Sequence, residues 1–355
     1  MKAHALFLAS SILLSATAAA AAPEVVASIK PIHSLVAAIM QGVGEPKLIV
    51  EGAASPHTFT MKPSNARAVE GADMVFWMGP GMEAFLKKPL EALASDATVV
   101  ELDDAEGLIK LPFREGGAFE AHDHGHEGHG HEGAEHGEHE HDDHGGKEHS
   151  HGHDEAAEGA AGGEHDHHDH AEEAGEEHPH DHGAFDTHLW LDPMNAKAMA
   201  GAIKQALAKA DPDNAAAYAA NLVSLNGRID ALDREIAQTI APVKEKPFIV
   251  FHDAYQFFED HYGVRVVGSV TVSPEVVPGA ERVQEIRQKV QELDAACVFA
   301  EPQFEPKLIQ VVTEGTNARS GTLDPEGATL AEGPDLYFDL MRSIATNLRT
   351  CLSGA

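Results

Sequence analysis

Twenty-five of the 355 residues are histidine, the side chain that titrates near neutral pH and binds borderline metals. They fall into two populations. Nineteen lie between Ala118 and Phe185; apart from His4, the others are His33, His57, His188, His252 and His261. His57 follows an expected strand in Glu51-Gly52-Ala53-Ala54-Ser55-Pro56-His57, His188 stands just before an expected helix, and His252 ends a strongly apolar strand. All three sit at loop positions near element ends, where a rigid scaffold aims side chains into a cleft. One precedes the dense tract, one follows it, and one comes from the second half. Three converging imidazoles suit Zn²⁺. Spacing alone does not establish such a site, because an isolated histidine is more often hydrogen-bonded or at the surface. His33, at the start of an amphipathic helix, and His261, in an acidic helix end, read as structural or solvated.

The dense tract is a different kind of sequence. From Glu120 to Ala184 there is no Val, Ile, Leu, Met, Phe, Trp or Tyr. Such a segment cannot offset its ordering entropy by burying apolar surface, so residues 118–185 are expected to be a disordered insert. Its runs include His122, His124, His126, His129 and His131, then His165, His167, His168 and His170. This is low-complexity metal-binding composition, suited to many weak sites. The insert carries one Lys against 21 carboxylates, or −20 of the chain's net −33. That charge excludes non-specific binding to nucleic acid, which needs a basic surface. Mild acid would protonate the imidazoles, neutralise the insert and expel its metal.

Ordinary folded sequence lies on both sides. Short apolar runs at 24–29, 47–50, 74–78 and 98–102 read as strands. Helical patterns at 33–40, 64–70 and 82–93 alternate with them, as in a parallel sheet with crossovers. A helix is expected from Asp192-Pro193 to Ala210, with proline at its first position. A longer one runs from Pro212 to Ala241, about 45 Å at 1.5 Å per residue. Its stripe is Tyr218, Leu222, Leu225, Ile229, Leu232, Ile236 and Ile240, at steps of three and four. It could be a spine between two halves, a long helix within one, or a small coiled coil. A second αβ block follows, with strands at 248–251, 264–267, 297–300 and 318–322 and helices at 281–293 and 305–314. The expected fold class is α/β: two αβ halves joined by a helix, with a ligand between them at strand C-terminal ends.

The first 22 residues read as a cleaved secretory signal: Lys2, a short apolar run from Leu6 to Leu14, and small residues from Ala18 to Ala22. No cysteine is there, which argues against a lipid anchor. No other stretch is apolar and long enough for a transmembrane helix. Only Cys297 and Cys351 remain. In an exported protein such a pair is most simply a disulfide, with two buried free thiols as the alternative.

Several stretches carry a resemblance: Ser28-Ile29-Lys30-Pro31-Ile32, Pro56-His57, Lys62-Pro63-Ser64, Thr187-His188-Leu189-Trp190-Leu191, Val250-Phe251-His252-Asp253-Ala254-Tyr255, Val298-Phe299-Ala300-Glu301-Pro302-Gln303 and Gly321-Thr322-Leu323-Asp324-Pro325. In this order, with a His-rich insert between them, they make the chain similar to the ZnuA-type zinc-uptake solute-binding proteins of bacterial ABC transporters. The resemblance implies two αβ lobes, residues 23–211 and 242–355, joined by a long rigid helix at 212–241, with one metal in the interlobe cleft. It carries zinc ligation onto His57, His188 and His252. Many relatives place a carboxylate at the fourth position, and Asp324 matches one such place. Some have a Glu directly before the first His, where this chain has Pro56. The fourth ligand is then Asp324 or a water; charge favours Asp324, since three neutral imidazoles leave Zn²⁺ uncompensated. Asp324 capping its own turn is the alternative. The family also carries a disulfide near its C-terminus, which Cys297 and Cys351 match.

The expected function is therefore capture of Zn²⁺ in the periplasm and delivery to an ABC permease, with other periplasmic zinc chaperones as further partners and a monomer as the working form. The insert would be a low-affinity zinc buffer or sensor. An enzyme is not expected: the chain has no His-Glu-x-x-His on a helix and no evident base beside the three histidines. A zinc or nickel store built on the insert, and a metal-dependent adhesin, are the rival readings.

Overall fold

A computed structural model of the chain describes residues 22–114, 119, 185–271, 278–304 and 307–354. The insert's histidines and nearly all of the expected signal segment lie outside them.

The first half runs β1 (Val25–Ala27), α1 (Lys30–Ile39), β2 (Lys47–Leu48), α2 (Pro63–Glu70), β3 (Met74–Trp77), α3 (Ala84–Leu93) and β4 (Thr98–Glu101). Its sheet is parallel with strand order β2-β1-β3-β4. After the insert come α4 (Pro193–Ala210) and α5 (Ala215–Ile240). The second half runs β5 (Pro247–His252), α6 (Gln256–Tyr262), β6 (Arg265–Thr271), α7 (Ala280–Glu292), β7 (Cys297–Ala300), α8 (Lys307–Thr313), β8 (Arg319–Thr322) and α9 (Leu336–Ser353). Its sheet repeats the same parallel order, β6-β5-β7-β8. In both sheets the chain winds outward in two directions from the central pair. Those switch points, β1/β3 and β5/β7, are where side chains at strand C-terminal ends face a crevice.

Burial follows the strand period of two. In β5, Phe248 and Val250 join the large core that runs through both halves, whereas Ile249 and Phe251 join a smaller core with Ile286 of α7 and Ile309 of α8. The second sheet is thus covered on both faces, as an all-parallel sheet requires. The α5 stripe is the seam of the large core: Tyr218, Leu225, Ile229, Leu232, Ile236 and Ile240 are buried, and α5 packs against α1, α4 and α9. It touches elements of both halves.

Several details differ from the sequence reading: α1 starts three residues earlier, β6 runs on to Thr271, and α6 had no assigned range. The long helix begins as a separate 3₁₀ turn at Pro212–Asn214. The C-terminal helix α9, unassigned by the strand and helix patterns, buries ten residues from Leu336 to Leu352. Among the described residues no helix is long and apolar enough to cross a membrane.

Candidate metal centre

His57 lies in the loop between β2 and α2. His188 precedes a 3₁₀ turn at Leu189–Leu191, after which Asp192 caps α4 by accepting from the Met194 N–H at 2.7 Å. His252 is the last residue of β5. These three elements are brought together by packing that is independent of any ion. Trp190 is fully buried behind His188; its Nε1 donates to the Pro325 carbonyl at 2.9 Å, and its own carbonyl accepts from the Tyr337 hydroxyl at 3.0 Å. From the first half, the Lys30 ammonium, 5% exposed, donates to the carbonyls of Gly327, Ala328 and Leu330. Both halves are therefore stitched along the 325–337 segment.

The three rings sit 5.2–5.8 Å apart, centroid to centroid. One nitrogen from each falls within 4.8 Å of the other two. His188 and His252 are buried, and the His57 Nε2 is a buried nitrogen with no hydrogen-bond partner. Two carboxylates stand behind the rings. His188 Nδ1 lies 2.7 Å from Asp186 Oδ1, and His252 Nδ1 lies 2.7 and 2.8 Å from the two Glu301 oxygens. Asp186 and Glu301 are 1% and 3% exposed. An ionised carboxylate only accepts, so each Nδ1 carries the proton and donates. With each Nδ1 so engaged, the Nε2 atoms of His188 and His252 face each other at 3.3 Å. Two imidazole nitrogens at that distance can share a proton or hold a cation between them. A carboxylate behind a ligating imidazole is the usual way of fixing tautomer and ring orientation.

The titrations follow from the same geometry. Burial pushes the His57 pKa well below its ordinary value, helped by repulsion from the other two imidazoles, so His57 is a neutral donor. Burial also acts downward on His252, but the Glu301 carboxylate, with Asp253 and Asp186 behind it, outweighs this and raises its pKa. A proton thus competes with a cation at His252.

Asp324 is not brought into this group. Its Oδ1 accepts from the backbone N–H of Glu326 and Gly327 and from Gln303 Nε2 at 2.9–3.0 Å, and its Oδ2 accepts from the Ala328 N–H at 2.7 Å. Both oxygens are engaged in holding the turn. Asp186 and Glu301 place further carboxylates directly behind two of the rings. Sequence reading missed these two as functional residues. Asp186 had a visible signal, its two-residue spacing to His188. Glu301 lay in one of the stretches that carry the resemblance, but its pairing with His252 needs the strand register.

His33 is buried and its Nε2 lies 3.0 Å from the Pro46 carbonyl, a structural role as expected. His261 is held between Asp192 and Asp233. Cys297 of β7 and Cys351 of α9 form the disulfide.

Three nitrogen donors suit a borderline divalent ion and disfavour Mg²⁺ and Ca²⁺, which take oxygen. Known proteins agree with that chemistry. The family model described as the periplasmic zinc-uptake complex component A matches residues 25–351. The high-affinity zinc uptake system protein ZnuA of Brucella suis biovar 1 is 53% identical over 353 residues, covering 99% of this chain and 98% of the relative. Its namesake in Yersinia pestis is 35% identical over 345 residues, covering 97% and 96%. The solved periplasmic zinc-binding protein TroA of Treponema pallidum superposes with a TM-score of 0.67 at 18% identity, covering 93% of this chain and 99% of that one, which is a likeness of fold.

Proposed function

The chain belongs to the family of periplasmic zinc-uptake components, and from that premise we propose that His57, His188 and His252 are where it captures Zn²⁺ for delivery to an ABC permease. It is a zinc-binding receptor of a high-affinity uptake system. The observation that carries the residue assignment is the pair of facing Nε2 atoms of His188 and His252, 3.3 Å apart, each with its Nδ1 proton committed to a buried carboxylate. The orphaned Nε2 of His57 completes three donors. The fourth position goes to a water, since both Asp324 oxygens are engaged elsewhere.

In this reading the cleft is the tight site and the His-rich insert a weaker buffer on a tether that raises the local zinc concentration. Residues 1–22 direct export and are removed. Zinc titration of the mature full chain and of a chain lacking residues 120–184 tests the division of labour. Both should show one tight site, and only the full chain the weak ones. The His57→Ala/His188→Ala/His252→Ala variant should lose the tight site. If tight binding survived those three substitutions, the insert would be the real site and the protein a metal store.

A further inference from the structure

The segment that leads into the insert, residues 109–114, touches two of the three chain segments that carry the histidines of the metal centre, those of His188 and His252. It is first pinned to α4: the Ile109 N–H donates to Asn195 Oδ1 at 2.7 Å and Asn195 Nδ2 returns a bond to the Ile109 carbonyl at 2.9 Å. The Leu111 carbonyl then accepts from the Asp186 N–H at 3.0 Å. Asp186 is the carboxylate behind His188. Pro112 pairs antiparallel with Phe185, and its carbonyl accepts from Gln256 Nε2 of α6 at 3.0 Å. Arg114 ends this run. Its Nε donates to Asp253 Oδ2 at 3.1 Å, its Nη2 to Asp253 Oδ1, and its Nη1 to Glu259 of α6. The guanidinium also lies 4.1 Å over the Phe119 ring.

Asp253 directly follows His252 and its side chain is 5% exposed, while that of Arg114 is 20% exposed. A bidentate guanidinium fixes the plane as well as the place of a carboxylate, which a point charge does not. We infer that Arg114 is a positioning residue of the metal centre: it clasps the loop carrying His252 to the same short segment that holds Asp186 behind His188, and so keeps the two facing imidazoles at their separation. The three donors come from three different chain segments, and 109–114 is a covalent strut common to two of their supports. The inference rests on the assignment of zinc to these histidines.

The test compares the full mature protein with Arg114→Ala, Arg114→Lys, Asp253→Asn and the Arg114→Ala/Asp253→Asn double variant. Four quantities are read: zinc affinity by chelator competition, zinc release rate, melting temperature of the metal-free protein, and the visible absorption of the Co²⁺-loaded protein. Arg114→Ala should weaken zinc about tenfold, the low end of what outer-sphere partners of metal ligands contribute, chiefly through faster release. The Co²⁺ spectrum should change with it. Arg114→Lys, which keeps the charge but cannot chelate Asp253 and reach Glu259 together, should recover only part. The double variant should bind within about twofold of the weaker single variant, since both break one linkage. Zinc affinity and Co²⁺ spectrum unchanged in Arg114→Ala, with only the melting temperature lowered, would make the clasp a plain stabilising ion pair and overturn the inference. Additive losses in the double variant would overturn it too. A wild-type chain without a tight site, or one whose tight site survives loss of the three histidines, would instead refute the zinc assignment.

Discussion

His252 and Glu301 are 49 residues apart in sequence and 2.7 Å apart in space, at the same level of two neighbouring parallel strands. The β5/β7 register pairs Phe248 with Cys297 and Ile249 with Val298, an offset of 49. Carried to the strand ends, that offset puts Glu301 opposite His252. The pairing of ligand and carboxylate is thus a consequence of sheet register at the switch point, and needs no loop to find it.

Removing that carboxylate separates orientation from ligation. Glu301→Ala leaves three imidazoles in the cleft but frees the His252 ring and its tautomer. Zinc affinity should fall about 10- to 100-fold. Glu301→Gln should recover part, because its amide oxygen accepts the Nδ1 proton without supplying charge. Chelator competition on both variants checks this; wild-type affinity in Glu301→Ala would refute the role.

Asp324 should behave in the opposite way. It accepts three backbone N–H groups within its own turn, so Asp324→Ala leaves partly buried donors unpaired, at a cost of about 1–3 kcal/mol. Denaturant unfolding of the metal-free variant should show this loss while zinc affinity stays within about threefold. A 100-fold loss of affinity with stability unchanged would make Asp324 a ligand after all.

Much of this architecture was legible because its signals are local. The run Asp192-Pro193 fixes a helix start, since an Asp cap and a proline at the first position both favour it. The Tyr218–Ile240 stripe fixes a long helix with one buried side. The three candidate histidines stood out because they lie in loops or at a strand end in three separate stretches of the chain. The residues behind them were not legible. Glu301 depends on strand register and Arg114 on a contact made across 139 residues, and neither has a periodicity. Asp324 was ambiguous for a related reason: a carboxylate two to four residues before backbone N–H groups can cap a turn as readily as bind an ion, and sequence does not separate the two.

The disulfide ties β7, which leads directly to Glu301, to the helix that closes the core. With Cys297 and Cys351 separated by 54 positions, the loop closed in the unfolded chain is long, and reduction should cost about 4 kcal/mol in the chain-entropy picture. Urea unfolding with and without reductant measures it. The Cys297→Ala/Cys351→Ala variant should resemble the reduced protein and no longer respond to reductant; a variant as stable as the oxidised protein would refute the estimate.

His261 sets a pH dependence that lies outside the metal centre. Its Nδ1 is 3.2 Å from Asp192 Oδ1 and its Nε2 is 2.9 Å from Asp233 Oδ1. Only the imidazolium donates from both nitrogens, so the ion ties α6 to the cap of α4 and to α5. The hydrogen bond to Asp192 raises its pKa most, and with the help of Asp233 this outweighs burial and brings it to about 9. Because the folded value lies above the ordinary value of 6.5, the contribution to stability is fully present below about pH 6.5 and is lost as pH rises through about 9. The adjacent Tyr262 hydroxyl is pushed up by burial and does not titrate in this window. His261→Gln keeps one neutral donor and removes the proton equilibrium. The urea midpoint of the metal-free wild type should therefore drop between pH 6.5 and pH 9.5 by more than that of His261→Gln, and the two should converge at the alkaline end. Parallel curves across that range would mean that the proton on His261 contributes nothing to holding these three helices together.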